Sequence, residues 1–271
     1  MDLQRCSINS TTVRGLGLSE LIEAVSGRGI PGVGLWRDCY AGLRISTAAN
    51  QVRSSGLRVT SICRGGMFTH RDDEDKSRSA DENRRIIDEA HAFDAECVVI
   101  VCGAPVGKDL DVARAQIRDG LDALAPYAQS AGIRLAIEPM HPMMVADRSA
   151  ITSLAEANDL IQALDHENIG IALDAYHVFW DVNYPSEVQR ASGRIYAVQV
   201  CDWVVPIQGQ LTSRGMPGEG TIDLTAFVKH VARAGYDGLI EIEVLSDAWW
   251  AVDPETALDA AIRGFEAMSE A

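Results

Sequence analysis

RLAIEPMHPMMVADRSAITSLAEANDLIQALDHENIGIALD, residues 134–174, is the stretch that decides the fold. It opens on a short apolar run, RLAIE (134–138), and closes on another, IGIALD (169–174). A helical pattern starting at Ser153 lies between them. Pro139 cannot continue a ladder, so the first strand ends at Glu138. Both runs are almost continuously apolar, as strands of a parallel sheet covered on both faces must be. Each finishes on a carboxylate, Glu138 or Asp174.

The same unit recurs along the chain. Apolar or β-branched runs at 5–8, 32–36, 57–63, 97–102, 134–138, 169–174, 195–201 and 239–244 read as eight strands. Helical patterns from Ser19, Thr47, Asp81, Val112, Ser153, Ser186, Asp223 and Pro254 alternate with them. Gly56, Gly132 and Gly235 stand just before strands, where a helix takes a left-handed C-terminal residue. Asp253-Pro254-Glu255 is a cap residue followed by proline at the first helical position.

Eight such units suit either a closed barrel or a doubly wound open sheet. No GxGxxG follows the first strand, so the open sheet lacks its dinucleotide fingerprint. The expected architecture is α/β: one (β/α)8 TIM barrel over residues 1–271, a normal length for a fold of roughly 250 residues. Connections 64–79 and 202–222 carry no helical pattern that we read and are candidate lids over the strand tops.

Composition narrows the partners. Hydrophobic residues make up 47% of the chain, enough for a sizeable core. The net charge of -15 favours solubility and repels phosphate backbones and anionic lipid, which argues against nucleic acid and membrane. Six cysteines without CxxC spacing lie mostly in apolar runs, as small buried hydrophobes would. The N-terminal MDLQRCSINS shows no signal pattern, and the expected location is the cytoplasm.

Chemistry in such a barrel sits at the C-terminal ends of the strands. Four oxygen-bearing side chains fall there: Glu138, Asp174, Gln199 in YAVQV and Glu243 in LIEIE. Carboxylates and an amide carbonyl are the donor set of a divalent site, Mn2+ or Mg2+ rather than Zn2+. Alternation puts Glu241 on the same face as Glu243 but at a different height. Glu243, nearer the strand end, is the expected ligand, and Glu241 a residue of the layer below it.

His177 and His141 each follow a strand-end carboxylate by three positions, where substrate contacts would be. Arg214, in SRGMPGEGTIDL, offers a guanidinium among glycines near the mouth. Trp36, Trp180, Trp203, Trp249 and Trp250 fall at or after strand ends and are candidates to wall a sugar-sized pocket or simply to pack. His70 lies in the first candidate lid; His91, His166 and His230 carry no such signal.

The stretches LAIEPMHP, IGIALDAYH, VQVCDW, RGMPGEGTIDL and YDGLIEIEV, in that order, resemble the sugar isomerase/epimerase superfamily with the xylose isomerase-like barrel. That group holds inosose isomerase, hydroxypyruvate isomerase and ketose 3-epimerases. The resemblance runs over most of the chain and is best from about residue 130 onward. It implies that Glu138, Asp174, Gln199 and Glu243 are metal ligands, with Glu138 and Glu243 also the acid/base pair. It places His177 and Arg214 at substrate-contacting positions, with His141 and Trp180 as further candidates. Many members carry His where this chain has Gln199, and several carry an acid where it has Leu35.

The expected reaction is isomerisation or epimerisation of a keto-sugar, inosose or small hydroxy-carbonyl compound, by enediolate proton transfer between the two glutamates. A β-elimination from a keto-glycoside, in a deglycosidase subunit with a partner, uses the same first step. A sugar-binding barrel would keep the pocket without the metal. An abasic-site endonuclease needs more histidine ligands and a basic face. The expected partner is a small carbohydrate, and a homo-oligomer or partner subunit stays open.

Overall fold

The computed structural model describes residues 1–268; positions 269–271 of the expected domain lie outside the described residues. Eight parallel strands close into a barrel: β1 (Cys6–Asn9), β2 (Gly32–Trp36), β3 (Arg58–Gly66), β4 (Cys97–Val101), β5 (Arg134–Ile137), β6 (Ile169–Asp174), β7 (Ile195–Val200) and β10 (Ile240–Ile242). β10 pairs with β1 and β7, which seals the ring. The antiparallel pair β8 (Asp202–Trp203) and β9 (Arg214–Gly215) lies between β7 and β10 in the chain.

Helices α1 (Leu18–Gly27), α2 (Ile45–Ser55), α3 (Asp73–Phe93), α4 (Leu110–Ser130), α5 (Leu154–Leu164), α7 (Tyr184–Arg190), α8 (Leu224–Arg233) and α10 (Pro254–Ala267) follow the strands. Two short turns of helix, α6 (Ala175–Val178) and α9 (Asp247–Trp250), follow the ends of β6 and β10. Among the described residues no helix is long and apolar enough to cross a membrane.

Alternation along the strands builds two apolar layers. Val98, Ile100, Leu135, Ile137, Ile171, Leu173, Val198, Val200, Ile240 and Ile242 join the large core between barrel and helices. The bore is filled by the smaller Cys97, Val99, Ala136, Ala172 and Ala197 with Tyr196. Stepping two residues further along three strands leads from Ala136 to Glu138, from Ala172 to Asp174 and from Ala197 to Gln199. The period of two that packs the bore with small residues thus delivers oxygen donors to its upper end.

Two expected loops are ordered differently. β3 runs on to Gly66 and α3 begins at Asp73, eight positions before Asp81, so 64–79 is not an open lid. The first turns of α3 are polar and carry no apolar period. Their helix is set instead by the Asp72 cap on the Asp75 amide and by the acidic Asp73, Glu74 and Asp75 at the positive end of the dipole. The 202–222 connection contains the β8–β9 pair, and Asp202 accepts hydrogen bonds from the amides of Gly218 and Ile222. The glycine and proline signals elsewhere behave as read: Gly56, Gly132 and Gly235 have positive φ, and Asp253 caps α10 with Pro254 in its first turn.

Candidate active site

The upper end of the bore holds a cavity of about 220 Å3. Glu138, Glu243 and Arg214 line it, with Trp36, Cys63, Arg64 and Arg148 among the other walls. Asp174 and His177 lie directly behind, at 1% exposure each. Arg214 ties these groups together. Its backbone amide bonds Leu245 O, and β9 pairing with Trp203 fixes it at the mouth. Its Nη1 lies 2.8 Å from Asp174 Oδ2 and 3.3 Å from Glu243 Oε2, and its guanidinium stacks on the Tyr176 ring at 4.6 Å.

His177 is oriented from behind. The His141 backbone N–H donates to Nδ1 at 3.1 Å, which puts the proton of the neutral ring on Nε2. Nε2 then faces Asp174 Oδ2 at 3.6 Å and Glu138 Oε1 at 3.9 Å. It also lies 3.3 Å from Arg214 Nη2, so two N–H donors converge, an arrangement that an acceptor oxygen between them would satisfy. Burial, reinforced by the Arg214 charge, holds His177 well below the ordinary imidazole range, so the ring is neutral.

The carboxylates differ in their donors. Among the described residues no donor hydrogen-bonds the Glu138 carboxylate, which faces the cavity. Glu243 accepts from Trp36 Nε1 at 3.0 Å and Asn9 Nδ2 at 3.2 Å. Glu241, one layer down, is fully engaged: Asn9 Nδ2 at 2.7, Thr60 Oγ1 at 2.6, Ser61 Oγ at 2.8 and Gln199 Nε2 at 2.8 Å. Burial pushes Glu138 well above the usual carboxylate range, with the Glu243 and Asp174 charges adding to it. Burial likewise raises Asp174, against the pull of Arg214, and lifts Glu243 to about 7.

Gln199 is in register with both Asp174 and Glu241. Its Nε2 serves Glu241, while its Oε1 is buried without a hydrogen-bond partner. An orphaned buried oxygen beside several carboxylates and one guanidinium is what a divalent cation with oxygen ligands would complete. Glu138, Asp174 and His177 present ligand atoms within 4.8 Å of one another, as do Cys63, Glu241 and Glu243. Burial raises the Cys63 thiol well above its ordinary range, so it stays protonated and offers no thiolate.

Of the expected substrate residues, Arg214 lines the cavity and His177 backs it. His141 and Trp180 stand aside from its wall: Trp180 Nε1 bonds His177 O, and His141 packs edge-on to Trp180 and against Trp203. Three contributors carried weak signals or none. Asn9 ends β1 on an amide as β7 nearly does, a hint in one residue; Arg64 and Arg148 had no pattern at all.

A family model described as xylose isomerase-like TIM barrel matches residues 22–268. Inosose isomerase of Halalkalibacterium halodurans is 23% identical over 202 residues, 72% of this chain and 69% of that one. A 3-dehydroshikimate dehydratase of Pseudomonas aeruginosa is 28% identical over 163 residues, 56% of this chain but only 24% of the longer enzyme. The crystal structure of protein SMc04130 from Sinorhizobium meliloti 1021 superposes with a TM-score of 0.96 at 36% identity, covering all of both chains. That of the IolI protein with a bound zinc atom reaches 0.85 at 17% identity, over 96% of each. The chain belongs to the xylose isomerase-like TIM barrel family.

Proposed function

We propose that the chain is a divalent-metal-dependent isomerase or epimerase of a keto-sugar, inosose or small hydroxy-carbonyl compound. The observation that carries this reading is that Glu138 and Glu243, both buried and both raised, face one small cavity. The inosose isomerase relative supports the substrate class.

Glu138, Asp174, Gln199 and Glu243 would hold the ion, which when bound would supply a Lewis acid to the substrate carbonyl. Mn2+ or Mg2+ fits the all-oxygen donor set, and the IolI neighbour, which has a bound zinc atom, supports a divalent metal. Glu138, free of protein donors, removes the proton from the carbon beside the carbonyl. Glu243, anchored by Trp36 and Asn9, returns a proton to the neighbouring carbon or the opposite face. The converging N–H groups of His177 and Arg214 hold a substrate oxygen. We place the reaction in the cytoplasm, on six free cysteines.

The dehydratase relative favours a second reading on the same residues. Here the proton leaves the α-carbon, hydroxide departs from the β-carbon, and the products are an enone and water.

Elemental analysis of the purified protein beside Glu243→Ala, with Mn2+, Mg2+ and Zn2+ added back, tests the metal. About one ion per chain, lost in the variant, is expected. Screening keto-sugars, inososes and hydroxypyruvate in D2O by proton NMR then reads exchange at the α-carbon. Exchange without loss of water supports isomerisation, and an enone product supports elimination. No bound ion and no exchange would overturn both.

A further inference from the structure

We propose that Arg64 and Arg148 form an anion subsite at the cavity mouth, so that the substrate of the proposed reaction carries a carboxylate or phosphate group. This rests on the functional reading above and names the substrate class more closely. The ladder between β3 and β4 pairs Cys63 with Val99 and Gly65 with Ile100, leaving Arg64 as the extra residue of a bulge. In a regular strand Cys63 and Arg64 would point to opposite sides. The bulge lets both line the same cavity, the kind of re-aiming that bulges perform beside active sites.

Arg148 reaches the cavity from the β5–α5 connection, where its backbone is fixed: its N–H bonds Met144 O, and its carbonyl accepts from Gly103 N–H at 3.0 Å. Among the described residues its one acidic contact within 4 Å is Asp147, its chain neighbour, at 3.8 Å. Arg64 has no hydrogen bond or ion pair among the described residues. Nearby cations in the adjoining 580 Å3 cleft are matched: Arg37 by Glu82 and Glu89, Arg78 by Asp75 and Glu74. In a chain of net charge -15, two half-buried guanidinium groups line one cavity, and among the described residues neither forms an ion pair with a carboxylate of that cavity; Glu138, across it, is the acid whose charge Arg64 feels. Burial and the Arg148 charge lower the Arg64 pKa against the pull of Glu138, and an oxyanion seated between the two guanidinium groups would relieve their mutual repulsion.

D-Fructose, D-fructuronate and D-fructose 6-phosphate share a carbon skeleton and differ at one end. Calorimetric titration of each into Mn2+-loaded protein, wild type and the Arg64→Gln/Arg148→Gln double variant, tests the subsite. At least one anion should bind the wild type about tenfold or more tighter than D-fructose, and the ratio should fall towards one in the variant. Preference for fructuronate assigns a carboxylate, and preference for the phosphate ester assigns a phosphate. Arg64→Lys keeps the charge and retains part of the preference, whereas a collapsed fold also loses D-fructose binding. Equal affinities, a preference that survives the double substitution, or no binding of any of the three refutes the subsite. Exchange of D-fructose protons in D2O is read separately: preference without exchange fails only the reaction, and exchange without preference fails only the subsite.

Discussion

The charge state of Glu243 gives a quantitative test of the cavity. Its carboxyl is buried, and burial raises it from 4.5 to about 7. A group whose folded pKa lies above its unfolded value contributes stability that is present at low pH and lost as pH rises through the folded value. In chelator, wild type should therefore lose stability between pH 5 and pH 8 relative to Glu243→Gln, which has no proton to lose. Linkage over that window gives about 2 to 3 kcal/mol for a shift of this size, since most of the unfolded carboxyl is already ionised at pH 5. For a chain of this length that is a relative melting shift of about 5 to 10 °C. The neutral amide still accepts from Trp36 or Asn9, so the variant should fold, and any constant offset cancels in the comparison. His177, held low, works in the opposite direction as pH falls, but it is common to both proteins. Urea unfolding at several pH values in EDTA measures the difference. Parallel stability curves would refute the reasoning, because they would mean that Glu243 does not hold its proton in the folded state.

Three further outcomes follow from the same geometry. Glu138→Gln and Glu243→Gln should each keep the circular dichroism of the wild type and lower proton exchange about a hundredfold or more; wild-type turnover by either removes it from the acid/base pair. Gly34→Ala should destabilise by about 1 to 3 kcal/mol in urea, since an added Cβ would sit 2.4 Å from the Glu241 carboxyl carbon; unchanged stability would mean that the carboxylate can move away. Glu241→Ala should cost about 3 kcal/mol or more by stranding the donors of Ser61 and Gln199, and a neutral result would show that this network is not structural.

The barrel was legible because its signal is local. Eight apolar runs and their intervening helical patterns each declare themselves within a few residues, and Glu138 and Asp174 could be placed from period two alone. The start of α3 was not legible, because RDDEDKSR holds its helix by a cap and a dipole rather than by an apolar stripe. Arg64 was hidden for a different reason: its direction is set by a bulge in pairing with β4, and the period of two points it the wrong way. Arg214 is legible as a cation near the mouth, yet its contact with Asp174 joins residues 40 positions apart and no local pattern encodes it.

The two glutamates of β10 show why residue type alone does not assign a role. Both point into the bore, two residues apart, and the sequence separates them only by height. What divides them is the set of donors that other strands bring. Asn9 from β1, Thr60 and Ser61 from β3 and Gln199 from β7 converge on Glu241 and leave it neither room nor a free lone pair for substrate. Glu243 shares Asn9, receives Trp36, and is otherwise open to the cavity and to Arg214. The lower carboxylate is satisfied by neutral hydrogen-bond donors and so can be permanent structure. The upper ones have fewer such donors, and Glu138 none among the described residues, so they depend more on cations or protons, which come and go. In the proposed reaction, a carboxylate that must accept and release a proton belongs in that upper layer.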